Sequence, residues 1–233
     1  MKSSVTNNGR DLVTGGAATP LWLLTGFWIS ITISIAVVVR RLAAIVHPSQ
    51  SGPAQMAALD AAFASHTALT VAHIVPAMAF VLLTPLVFLR RTGAAWAERL
   101  LFPLGAVVGV TAYAMSAYSI GGWVERSAVL LFNSLFLFSL ARAYKYMREG
   151  KHLQKRLWMT RAVGILLGIA TTRPVMGIFF ATSRWTHLEP RQFFGIAFWL
   201  GFSINTIAVE LWLHSRGRQA QRERIGTRSE MRL

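Results

Sequence analysis

The chain has 233 residues, of which 54% are hydrophobic and only 14% are charged. A soluble domain of this size has nearer to a quarter charged residues, so we expect a membrane protein. The formal net charge of +15 is compatible with nucleic-acid binding. However, Lys and Arg cluster beside apolar segments and in one short tail, which is typical of a membrane protein, and we predict no nucleic-acid partner.

The sequence lacks the usual ingredients of a catalytic or metal centre. It has no cysteine, which excludes disulfides, thiolate catalysis and Cys-ligated metals. It also has no His-Glu-x-x-His pattern, no nucleophile elbow and no pair of carboxylates. We therefore predict no metal site, assign no catalytic residue and do not favour an enzyme.

Six apolar segments are each long enough, at about 20 residues, to cross a hydrocarbon core of roughly 30 Å. They are Leu21–Val39 (with a possible extension to Val46), Thr67–Leu89, Leu100–Ser119, Trp123–Ala143, Leu157–Ala181 and Phe193–Leu213. The first is too long for the apolar part of a signal peptide, and we expect it to be retained. The predicted fold is an all-α integral membrane protein, a bundle of six transmembrane helices in the bacterial inner membrane.

The distribution of Lys and Arg predicts that both termini are cytoplasmic. In that orientation 17 of the 24 Lys and Arg lie in cytoplasmic segments, 5 lie outside, and two lie within the fifth span. The pair Arg40-Arg41, at the outer end of the first helix, is the exception. The predicted organisation is a cytoplasmic tail at 1–18, a transmembrane domain at 19–214 and an Arg-rich cytoplasmic tail at 215–233. We expect this last tail to be disordered near anionic lipid.

The outer loop at 47–65 is rich in Pro, Gly and Ser and then in Ala, and it predicts a short surface helix. The second helix then carries His73 about six residues from its outer end, with His66 on the same face seven residues earlier. Tyr113 follows in the outer half of the third helix, and Asn133 lies near the middle of the fourth. Successive spans thus bring polar groups to the outer half of the bilayer.

Small residues four apart occur in the third and fifth spans. They are Gly105 with Gly109 and Gly164 with Gly168. Such spacing lets helices approach closely where lipid gives no hydrophobic drive to associate. We expect these two spans to pack tightly.

The fifth span contains two arginines, although a charge at the bilayer centre costs roughly 3 kcal/mol. Arg161 lies about 6 Å from the cytoplasmic end of its helix. Glu210, in the sixth span, lies at the same depth, and the loop between the two helices is short. We therefore predict that they form a structural ion pair rather than a proton relay.

Arg173 lies twelve residues further on, about 18 Å along the helix axis. We expect no carboxylate at its level in any other span, so that it must meet neutral acceptors, water or a bound anion. Pro174 is expected to kink the helix beside it, and Thr172 adds a hydroxyl. The predicted ligand-binding residues are Arg173, His73, Tyr113, Asn133 and Thr172.

Three stretches resemble a known family. They are "KRLWMTRAVGILLGIATTRP", "HIVPAMAFVLLTPLVFLRR" and "INTIAVELWL". Together they resemble the bacterial membrane proteins grouped as domain of unknown function 2306, over about Thr67 to Leu213. The resemblance implies the architecture and the candidate sites, but no reaction. At two places this chain departs from the family pattern of a histidine, since it has Glu98 and Lys155 there, with His152 displaced by one turn.

Three functions are compatible with these features. The first is a binding or accessory protein whose pocket takes a lipid, a quinone or a small acidic ligand, because arginine suits carboxylate or phosphate. The second is a haem b electron-transfer protein that uses His73 with His66 or His187 as axial ligands. The third is a small-solute transporter, although no inverted repeat is visible and acidic residues are scarce. The bilayer is the expected partner, and the sequence does not set the cofactor or the oligomeric state.

Overall fold

A computed structural model describes residues 20–46, 61, 64–89 and 95–230. This part of the chain contains seven helical segments and no strand. They are α1 (Leu21–Val46), α2 (Thr67–Leu89), α3 (Ala95–Ser116), α4 (Gly122–Arg148), α5 (His152–Leu166), α6 (Gly168–Thr186) and α7 (Pro190–Glu230). Together they supply six stretches long and apolar enough to cross a membrane, with α5 and α6 forming one of them. The predicted all-α fold with six spans is confirmed.

Two of the predicted segments lie wholly or largely outside the described residues, namely the tail at 1–18 and the outer loop with its surface helix at 47–65. The tail after Leu213 differs from expectation. It was expected to be disordered, but α7 continues as helix to Glu230. Gln, Ala, Arg and Glu dominate this stretch and favour helix, so an established helix propagates through it. With 41 residues, α7 is about 60 Å long.

The helices form a ring. Neighbours along the chain pack against each other, and α7 also packs against α4 and α5. The first helix closes the ring, because it contacts both α2 and α6. The fully buried core includes Phe80, Leu101 and Met159, which come from α2, α3 and α5. In the half that we predict to face outside, the ring surrounds open space.

The glycine spacing leads to close helix packing, as predicted. A Cβ added at Gly105 would lie 2.7 Å from Leu140 of α4, and one at Gly168 would lie 2.5 Å from Phe202 of α7. Gly109 and Gly164 face Leu137 and Val209 in the same way. The third and fifth spans therefore each pack tightly, but against α4 and α7.

The fifth span is interrupted at Leu167, seven residues before Pro174, which lies inside α6. The expected break beside the proline thus falls earlier. The ring of Pro174 crowds the carbonyl of Ala170, and the turn containing Ala170 tightens, because its N–H bonds to the carbonyl of Leu167 three residues back, at 3.0 Å. Asn205 of α7 spans the interruption, since it accepts from the Thr171 hydroxyl at 2.8 Å and donates to the Gly164 carbonyl at 3.3 Å.

Two ion pairs fasten the end of the bundle that we predict to be cytoplasmic. Arg161 Nε and Nη2, from the pair predicted above, donate to the two carboxylate oxygens of Glu210 at 2.5 and 3.1 Å. Lys155 Nζ lies 2.7 Å from Glu98 Oε1 and joins α5 to α3. The sequence analysis did not predict this second pair, which is less exposed than the first.

Arg161→Ala and Glu210→Ala should each lower the free energy of unfolding by about 1–2 kcal/mol, because each leaves one charge without its partner at a position that is only partly open to water. The double variant should lose less than the sum of the two. Thermal unfolding of the purified protein measures this. Lys145→Ala is the control, because it removes an exposed pair with Glu149 of 3.8 Å, and its melting temperature should match the wild type. Additive losses would show that the two side chains do not interact.

Because the number of spans is even, the start of α1 and the end of α7 lie on the same side of the membrane. The Lys and Arg distribution predicts that this side is cytoplasmic. A fluorescent protein fused after Leu233 should therefore be fluorescent, and alkaline phosphatase at the same point should be inactive. Fusions between α6 and α7, near His187, should show the opposite. Active phosphatase at the C-terminus would overturn the orientation.

Candidate functional site

The ring of helices encloses a central cavity of about 250 Å³ whose wall includes residues of every helix from α1 to α7. Its two ends differ in polarity. The half nearer the predicted outer face carries most of the polar side chains of the wall, with apolar ones such as Val38, Ile74 and Met115 between them; the polar ones include Arg41, Thr70, His73, Ser116, Tyr118, Ser119, Glu125 and Arg173. The end nearer the middle of the bundle is apolar and is formed mainly by Val81, Phe132, Phe136, Ile165, Leu166 and Phe202.

Arg173 of α6 is the most unusual group in this wall. Its Nη1 contacts the Met176 sulfur at 3.9 Å, a weak acceptor. Its Nε is buried and has no hydrogen-bond partner among the residues that the structure describes. Buried polar atoms usually have partners. This guanidinium therefore has unused donor capacity beside an open space.

Glu125 shares the cavity with Arg173, which makes the expectation of no carboxylate at that level wrong. Glu125 lies in the first turn of α4 and is 8% exposed. Its Oε2 accepts the N–H of Gly121 at 2.6 Å, and its charge interacts electrostatically with Arg173. The contacts of the described residues include no direct ion pair between the two. The sequence signal was present, because Glu125 is an acidic residue within an apolar span, but it lies so near the helix start that an exposed position was the simpler interpretation.

Arg41 is a second residue of the wall that sequence reasoning did not assign. The Arg40-Arg41 pair was the exception in the predicted charge distribution, and the structure gives it a place. Arg41 lines the polar end of the cavity, and both arginines interact electrostatically with Arg173. An arginine pair at the end of the first span that we predict to face outside was thus the sequence signal for this end of the cavity.

His73 lies in the wall, and its contact with Thr111 bears on which ring nitrogen carries the proton. Its Nδ1 lies 2.9 Å from the Thr111 hydroxyl oxygen. The hydroxyl proton of Thr111 is directed at backbone carbonyls, that of Val107 at 2.7 Å and that of Val108 at 3.1 Å. We therefore assign Nδ1–H as the donor to Thr111, which leaves the hydroxyl proton to these carbonyls. In the neutral ring the lone pair then lies on Nε2, which makes that nitrogen an acceptor.

The structure brings three of the five predicted ligand-binding residues into the wall, namely Arg173, His73 and Asn133. The other two lie elsewhere. Thr172 is fully buried and donates to the Ile169 carbonyl at 2.6 Å. Tyr113 bonds Ser134 at 2.7 Å on the contact between α3 and α4. Neighbouring positions on a helix point in different directions, so depth alone did not separate residues that face the cavity from those that face a helix.

The histidines proposed as a haem pair do not face each other. The His66 ring lies against Tyr118, with centroids 3.7 Å apart and the planes tilted by 33°, just before α2 begins. It precedes His73 by two helical turns, so the two rings do not approach one plane from opposite sides. His187 is exposed between α6 and α7. The described residues also contain no group of three His, Asp or Glu arranged to hold a metal ion.

Because Glu125 and Arg173 share one cavity, Arg173→Leu should now destabilise the fold, by about 1–3 kcal/mol, since it leaves a buried carboxylate without its counter-charge. Adding Glu125→Gln should restore most of that loss, because glutamine keeps an oxygen for the Gly121 N–H. Thermal unfolding of the single and the double variant measures this difference in stability. The control is Arg126→Leu, which removes an exposed arginine of α4, the helix that carries Glu125. It should leave the melting temperature unchanged. If the double variant is no more stable than the single one, the two charges are not coupled.

Comparison with known proteins finds one family. The family model described as "Predicted membrane protein (DUF2306)" matches residues 70–213, which run from α2 to the end of the apolar part of α7. Neither the curated proteins nor the solved structures contain a match to the chain. The matched region supplies the whole cavity wall except the residues of α1.

Proposed function

We propose that this chain, which belongs to the DUF2306 family of predicted membrane proteins, binds a small ligand in the outer half of its helix bundle. It would act as a multi-pass binding or accessory protein of the bacterial inner membrane. The ligand would be a lipid, a quinone or a small acidic molecule. The observation that carries the proposal is the buried Nε of Arg173, which has no partner among the described residues and lies in the wall of a cavity.

The energetic argument starts from the cost of that arginine. A guanidinium inside the hydrocarbon region is unfavourable, and such residues usually mark functional positions. Its planar fork of donors suits a carboxylate, a phosphate or a carbonyl. Glu125 offsets part of the charge, but one of its oxygens is used by the Gly121 N–H. A ligand oxygen would supply the hydrogen bonds that the described protein groups do not.

A transporter is the second candidate, and one observation favours it. The interruption at Leu167 lies in the fifth span, and residues on both sides of it, Leu166 and Ile169, line the cavity. Secondary transporters often bind their substrates beside interrupted helices near the midplane of the membrane. A haem protein has less support, because no histidine among the described residues faces His73 across the cavity. Binding without transport requires fewer additional features and is preferred.

A ligand that co-purifies tests the proposal. The protein would be extracted from membranes in polymer-bounded discs without detergent and examined by native mass spectrometry. The wild type should carry a bound small molecule, and the variant Arg173→Leu with Glu125→Gln should lose it while remaining folded. Tyr113→Phe is the control, because its hydroxyl lies outside the cavity wall, and it should retain the molecule. Wild-type protein without any bound molecule, or undiminished retention by the double variant, would contradict the proposal.

A further inference from the structure

Apart from the Glu125 carboxylate, the polar groups of the cavity wall fall into two chemical sets. One set consists of arginines, which only donate. The other contains neutral groups, most of which donate to the protein, although the Ser34 hydroxyl has no hydrogen-bond partner among the described residues. Ser116 donates to the Tyr113 carbonyl at 2.7 Å, Ser119 donates to the Gly122 carbonyl at 3.0 Å, and the Asn133 amide donates to the Gly109 carbonyl at 2.8 Å. The two serines can therefore still offer the cavity acceptor oxygens, and Asn133 can offer its carbonyl oxygen and one amide N–H.

His73 belongs to this second set. With Nδ1–H assigned to Thr111, Nε2 is an acceptor in the neutral ring. The wall therefore combines a cationic donor at Arg173 with several acceptors around it. An acceptor in a partly closed cavity gains most from a ligand that brings its own O–H group, because a ligand without one leaves that acceptor unpaired.

The other end of the cavity determines what kind of tail the ligand has beyond its polar head group. It lies towards the middle of the bundle and is lined by apolar and aromatic side chains, including Phe132, Phe136 and Phe202. The volume of about 250 Å³ lies below the usual lower bound of about 300 Å³ for pockets that take drug-sized ligands. A single short hydrocarbon chain suits this space better than the paired chains of a phospholipid.

We infer that the ligand is a single-chain amphiphile whose head carries both an anionic oxygen, for Arg173, and a hydroxyl group, for His73 and the acceptors near it. This inference rests on the proposed binding function and narrows it. An oxidised quinone has only acceptor oxygens and so satisfies Arg173 but not the acceptor set. The same head chemistry occurs in free hydroxy acids and in lysolipids with a glycerol head, and the two sources can be distinguished experimentally.

The test compares ligands that differ by one hydroxyl. The protein would be placed in phosphatidylcholine nanodiscs and titrated calorimetrically with decanoate, 3-hydroxydecanoate, decanoyl lysophosphatidylglycerol and decylubiquinone, with empty nanodiscs as the reference for partitioning. The wild type should bind 3-hydroxydecanoate roughly 3- to 10-fold more tightly than decanoate, the value of one additional hydrogen bond. Tighter binding of the lysolipid than of the hydroxy acid would assign the head to a membrane lipid, and the reverse would assign it to a free acid.

Variants then identify the acceptor. His73→Phe should bind both acids equally, and it should fold, because the Thr111 hydroxyl keeps its carbonyl partners. His73→Gln should keep the preference, because its amide can donate to Thr111 and accept from the ligand. Tyr113→Phe, outside the wall, should behave as the wild type.

Two results are distinguishable failures. If the wild type binds decanoate and 3-hydroxydecanoate equally, or prefers decylubiquinone, and Arg173→Leu with Glu125→Gln abolishes that binding, the hydroxyl inference is wrong and the binding function stands. If no probe binds beyond partitioning and no molecule co-purifies, the binding function itself fails, and the inference fails with it.

Discussion

A guanidinium cannot face lipid at the depth of Arg173 without a large penalty, and the outer half of this bundle is organised around that constraint. Protein must surround the group on all sides, and helices α1 to α7 do so by forming a ring whose interior is a cavity. The first helix closes the ring between α2 and α6, so Arg41 arrives at the same polar end. Glu125 enters from α4 and partly balances these charges. A ring of this kind leaves room for a ligand, whereas a close-packed core would not.

The two arginines of the fifth span show how differently the same residue type is accommodated. Arg161 is held by both oxygens of Glu210 and by the face of Trp158, 4.8 Å from its ring centroid. It acts as a clamp between α5 and α7. Arg173 has a sulfur contact and an unpaired Nε. The interruption at Leu167 separates the two segments that carry them, and Asn205 fastens both segments to α7. The two arginines therefore lie on separate helical segments that Asn205 holds against the same helix.

The sequence predicted those features that depend on composition and depth. Spans follow from apolar length, and the Arg161–Glu210 pair followed from equal depth on adjacent helices. The features that it missed depend on rotation about a helix axis or on local backbone geometry. Thr172 lies beside Arg173 in the sequence but faces the protein core, and Tyr113 faces α4. Leu167 carries no breaking signal of its own, because the distortion originates at Pro174 and appears in the turn before it. The helix beyond Leu213 is polar in sequence, so only its helix propensity favoured order.

The contact between Glu98 and Lys155 adds a different kind of information. These are the two places where the chain departs from the pattern implied by the family resemblance, which has a histidine at each. The structure brings them together at 2.7 Å across α3 and α5, at partly buried positions. Either charge alone would be costly there, because it would lack its partner. The two places at which the chain departs from that pattern are therefore joined by one ion pair between α3 and α5. The outer cavity does not depend on that contact, so the binding function proposed here does not require those histidines.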